Sequence, residues 1–140
     1  MSRKYLPTLA YLIDLLSIIT LKSIKLEHKK EYEEEATEII HDINIIMNQK
    51  KEKIKDWGKF IRAIQISMFA NETIWANETL ARKGGRNQDH LLPFTHSVNS
   101  VRMRSGNVIS FQLGERKDLN LDRLVDDVCL KRGYDFDGLF

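Results

Sequence analysis

Asn71, Trp75, Glu78 and Arg82 recur at steps of four, three and four residues. On a helix they share one face, which carries in line an amide, a flat ring, a carboxylate and a guanidinium. Thr95, Asn99 and Arg102 form a second such line, with His96 and Arg104 to either side. Two arginines grip phosphate or carboxylate bidentately, and Trp75 offers a face for a base or sugar ring. Asn71 and Asn99 can read a ring edge or hydroxyls, while Glu78 can accept from a sugar hydroxyl or amine, or hold one arginine in place. Together they suit a nucleotide or sugar phosphate. Between the two lines runs Arg82-Lys83-Gly84-Gly85-Arg86-Asn87, three cations and two glycines ahead of a helix start. Free backbone N–H groups there can cradle an anion. The run matches neither a P-loop nor a dinucleotide fingerprint, and a cationic helix end is an equally good reading.

The surroundings of these residues decide what they do. Trp57, Phe60, Ile61, Ile64 and Met68 recur at helical spacing and predict a buried seam, and the same steps continued reach Asn71, Trp75, Glu78 and Arg82. A buried polar group without a partner costs about 1–3 kcal/mol. Two arrangements avoid that cost: a pocket holding a polar ligand, or a closed network in which Glu78 pairs with Arg82 or Arg102 and the asparagines cap neighbouring turns. Asp14, among apolar residues of the first helix and two turns before Lys22, reads as a structural ion pair or cap.

Other chemistry has weaker support. Glu35, Glu38 and Asp42 line one flank of the second helix and, with Glu78, could hold magnesium in an all-α nucleotide pyrophosphohydrolase. A solvated acidic edge is the plainer reading, and the paired acidic motifs of that enzyme class are not reproduced. His96 has no second histidine at metal spacing, and the single cysteine, Cys129, allows no intrachain disulfide and no cysteine cluster. No cofactor is expected outside the magnesium reading.

The elements that must position these groups are helical. Pro7 and Thr8 suit a helix start, followed by an apolar face through Leu9, Leu12, Ile13, Leu16, Ile19 and Ile24. A turn in the charged run 28–35 precedes a second helix with its stripe at Tyr32, Ala36, Ile39, Ile40, Ile43, Ile46 and Met47. The third helix begins near Trp57 and ends at Lys83-Gly84-Gly85. It is apolar nearly all round, since Ile66, Phe69, Ala70 and Ile74 face away from the first seam, and so it should lie at the bundle's centre. A fourth begins between Asp89 and Pro93, with Leu91, Phe94, Val98 and Val101 inward. Residues 108–113 continue it or form a short strand. Asn120 can cap a last short helix ending at Gly133, and the aromatic tail should dock on the body or on a neighbouring subunit. The expected fold is an all-α bundle of four to five helices with a short C-terminal extension, one domain over 1–140 with its core in 6–105 and the last helix and tail in 106–140.

At 140 residues the chain suits one core. Its net charge of +2 is too small and scattered for a general nucleic-acid binder. The apolar stretch 6–26 is interrupted by Asp14, Ser17, Lys22 and Lys25, so it reads as a buried helix and not a membrane span. No cleavable signal stands at the start, and the Asn71 and Asn77 triplets match glycosylation acceptors only formally. A cytoplasmic location is expected.

Leu12-Ile13-Asp14-Leu15-Leu16-Ser17-Ile18 with Lys22, then Asn71, Trp75, Glu78 and Arg82, then Thr95-His96-Ser97, Asn99 and Arg102, resemble a family of small all-helical proteins of no assigned activity. Its members occur in phages and beside bacterial polysaccharide and glycosyltransferase genes. The resemblance spans roughly 6–105 and implies an all-helical fold and a phage origin, which would place the protein in a host cell's cytoplasm. Members often carry an asparagine after the second arginine, where Met103 stands here. On these grounds the expected partners are a small phosphorylated molecule, such as a nucleotide signal of host defence, and further copies of the chain.

Overall fold

The structure is a computed structural model that describes residues 6–83, 91–116 and 126–139. It is an all-α bundle: α1 (Leu9–Lys25), α2 (Lys29–Lys50), a 3-10 turn (Lys51–Lys53), α3 (Trp57–Lys83), α4 (Leu91–Leu113) and the short α5 (Asp126–Lys131). No strand occurs among the described residues.

Local chemistry sets these bounds. Thr8 caps α1, its Oγ1 accepting the Tyr11 N–H at 3.2 Å. Leu26 is extended and His28 left-handed at φ 65°, so α1 and α2 are joined by a turn in place of one long helix. Asp56 accepts the Lys59 N–H at 2.9 Å where α3 begins. Residues 108–113 are helical, because Ile109 and Leu113, four apart, are both buried against Leu9, Ile54, Phe60 and Ala63. Gly114, at φ +66°, stops the helix.

Two antiparallel pairs, α1 with α2 and α3 with α4, make the most extensive helix contacts. The expectation for α3 is corrected here: α4 takes the central place, touching α1, α3, α5 and the 3-10 turn and carrying most of the fully buried side chains. At one pole, Glu115 accepts the Leu9 N–H at 2.9 Å and pairs with Lys50 at 3.2 Å. Gln112 accepts the N–H groups of Lys55 and Asp56 at 3.3 Å each. Both lie at the end of α4, so the start of α1, the end of α2 and the approach to α3 converge there.

The buried face of α3 also differs from the expected seam. Phe60, Ala63, Ser67, Ala70, Asn71 and Asn77 are buried, whereas Trp57 and Ile61 are 47% and 50% exposed. Phe69, expected to be buried on the far side, is exposed too. The face is turned because small residues on α3 pack toward α4, where Ser97, Ser100, Val101 and Ser105 are fully buried. Ser97 and Ser105 donate to the Pro93 and Arg102 carbonyls of their own helix at 3.0 and 2.7 Å, which offsets the cost of burying those two hydroxyls, while Ser100 Oγ is buried with no partner among the described residues.

Candidate polar site along the third and fourth helices

Asp14 is the hub of the polar arrangement. Arg102 Nε donates to its Oδ1 at 2.9 Å and Nη2 to its Oδ2 at 2.7 Å, a bidentate pair fixing α4 to α1. Asn71 Nδ2 on α3 donates to the same Asp14 Oδ1 at 2.8 Å and to Ser17 Oγ at 2.6 Å. Ser17 Oγ donates in turn to the Asp14 carbonyl at 2.9 Å. Arg102 Nη1 reaches Asn99 Oδ1 at 3.4 Å, and Asn99 Nδ2 lies 3.5 Å from Met103 Sδ. Met103 thus serves as a soft acceptor for Asn99.

Asn71, Asn99 and Arg102 are therefore brought together, but around a carboxylate of this chain. The Asp14 and Arg102 side chains are 20% and 31% exposed, so the pair is largely shielded yet touches solvent at one edge. The ion pair expected of Asp14 is present, with Arg102 and not with Lys22, whose Nζ lies 5.9 Å from the Tyr32 ring centroid.

The rest of the α3 line is not enclosed, and this corrects the single inward crevice. Glu78 and Arg82 are exposed and Trp75 is half-buried. The reason is length. Lys25, at the end of α1, pairs with Glu72 at 3.1 Å, and α3 runs on to Lys83, roughly 16 Å further at 1.5 Å per residue. Beyond Glu72, among the described residues, the line that held Asn71 against α1 has no helix over it. Neither Arg82 nor Arg102 pairs with Glu78, against the closed-network expectation, since Arg102 is held by Asp14.

Thr95 belongs to a second cluster. Asn77 donates its amide to Thr95 Oγ1, and Arg132 Nη1 donates to Asn77 Oδ1 at 2.8 Å while its guanidinium lies 4.1 Å from the Phe94 ring centroid. These contacts and the Asn71–Asp14–Arg102 bridge set the register of the α3–α4 pair, placing Asn99 level with Thr73 and Ile74. His96 is exposed on α4. Arg86 lies outside the described residues, as do Asn120 and the start of the last helix.

On α2, Glu35, Glu38 and Asp42 are exposed while Ala36 and Ile39 face the core. Among the described residues no group of three or more His, Cys, Asp or Glu side chains is placed to hold a metal ion. The magnesium arrangement with Glu78 is not formed, because α2 packs chiefly on α1 and its three acids are exposed.

Sequence reasoning missed the parts played by Ser17, Asn77 and Arg132. Asn77 sits six residues after Asn71 on the buried side and carried a legible signal, an amide on a core-facing helix; Arg132 carried none. Among the described residues no helix is long and apolar enough to cross a membrane. No family model, curated protein or solved structure matches the chain.

Proposed function

We propose that the chain binds a small phosphorylated ligand, a nucleotide or sugar phosphate, on the open part of the α3 line past the end of α1. The observation that carries this reading is the exposure of Arg82 and Glu78 beside the half-buried Trp75, on the line that lower down is closed by Asp14. Arg82 is the guanidinium available for phosphate and Trp75 the stacking face. Arg102 serves as a positioning residue, since both oxygens of Asp14 hold it. Given the resemblance to phage-borne proteins, the role we assign is sequestering a nucleotide signal of host defence in the host cytoplasm. Self-association belongs to the same proposal, supported by the exposed Trp57, Ile61 and Phe111.

The chain has two tryptophans, so Trp57→Phe leaves Trp75 as the reporter. Titration of that variant with cyclic and linear nucleotides and with sugar phosphates should give a saturable fluorescence change, lost in Arg82→Ala. Flat titrations and an unchanged melting temperature with every compound would refute the proposal. A packing-only role is favoured by one observation, the bidentate capture of Arg102 by Asp14. It predicts that Arg102→Ala lowers stability and that Arg82→Ala changes nothing.

A further inference from the structure

On the side of α3 away from Asn71, the C-terminal tail roofs a cleft of about 430 Å³, within the range of small-molecule sites. The tail is held there by its own turn. Gly133, at φ +83°, reverses the chain after α5, and the Tyr134 N–H bonds the Cys129 carbonyl at 2.9 Å. The Tyr134 ring then meets Phe69 and Phe94 at centroid distances of 5.7 and 5.4 Å and stacks on Phe136 at 6.0 Å. Ile66, Phe69, Tyr134 and Phe136 give the cleft an aromatic and aliphatic lining.

The rim is polar and asymmetric. Arg62 and Gln65 border the cleft, are exposed, and make no hydrogen bond or ion pair with a described residue. Asp135 also borders it, but its Oδ1 is engaged within its own turn by the Asp137 N–H at 3.0 Å. Arg62 stands two turns before Phe69, roughly 10 Å along the helix, so a guanidinium at one end and a ring platform at the other define the length of an occupant.

We infer that this cleft binds an apolar carboxylate, its hydrocarbon or aromatic body on the Phe69 and Tyr134 rings and its carboxylate on Arg62. An apolar body without charge would leave the guanidinium unused, whereas a carboxylate accepts two of its N–H groups in parallel. An α-ammonium on the same ligand would bring a second cation toward Arg62.

The test uses the full chain with 3-phenylpropionate and octanoate as probes, followed by ligand-observed NMR and thermal shift. Saturable binding of both acids is expected, weaker by about tenfold for 3-phenylpropanol and in Arg62→Gln, the loss of one charge-assisted contact. Arg62 is exposed and unpaired, so this variant should melt where the parent does. Phe69→Ala, also at an exposed position, should weaken both acids by removing the platform. No saturable binding, equal affinity for the alcohol, or unaltered affinity in Arg62→Gln would overturn the assignment. Tighter binding of L-phenylalanine than of 3-phenylpropionate would overturn it in favour of an amino-acid site at Arg62 and Asp135.

Discussion

Two buried asparagines on α3, Asn71 and Asn77, are each joined to an arginine from elsewhere in the chain, yet they hold the molecule together differently. At Asn71 the arginine, Arg102, meets a carboxylate through two parallel bonds, and three helices share that carboxylate. At Asn77 the arginine, Arg132, meets a neutral amide oxygen and the face of Phe94 and, among the described residues, no carboxylate. A shielded ion pair that loses one partner strands the other charge, whereas an arginine bound to an amide and a ring returns to water at little cost. The arginine of the first cluster should therefore govern global stability, whereas Arg132 governs only the docking of the tail onto an α3–α4 pair that Asn77 and Thr95 already join.

Asp14→Ala should have the largest effect, about 2–3 kcal/mol of stability by urea denaturation, because it strands Arg102 and deprives Asn71 together. In a cycle with Arg102→Ala the two losses should overlap by about 1–3 kcal/mol. Additive losses would show that the pair does not act as a unit. Next comes Asn71→Ala, at about 1–2 kcal/mol, for two hydrogen bonds lost at a buried position. Arg132→Ala should cost about 1 kcal/mol or less globally, with faster amide exchange confined to residues 129–139. A global loss equal to that of Asp14→Ala would erase the distinction between the clusters. Smallest of all, Glu78→Gln and Arg82→Ala should stay within about 0.5 kcal/mol of the parent in urea, since both residues are exposed.

The helical character of α1, α2, α3 and the first turns of α4 was legible from spacing, whereas 108–113 read equally as a strand. A turn between α1 and α2 was legible too, but it falls at 26–28, and the charged run 28–35 in which it was expected is helical from Lys29. The rotation of α3 was not. Hydropathy weights Trp57, Ile61 and Met68 over Ala63, Ser67 and Ala70, but close helix contact selects the small side chains. The site was legible in part for a related reason. Asn71 and Arg102 stood out as polar residues bordering apolar lines, and Asp14 as a charge within one, but which acid would meet which arginine depended on where α1 crosses the α3–α4 pair. That placement is a tertiary fact, and it also decided that Glu78 and Arg82 lie beyond the end of α1.

The carboxylate of Glu115, grasping the first amide of α1 and the last lysine of α2, has a mechanical consequence. With the helix ends fastened at that pole, thermal excursions of the bundle should pivot about it and grow toward the opposite end. Trp75 and Arg82 sit on that far side, past the end of α1, so a guest of the kind proposed would leave the fastened base undisturbed.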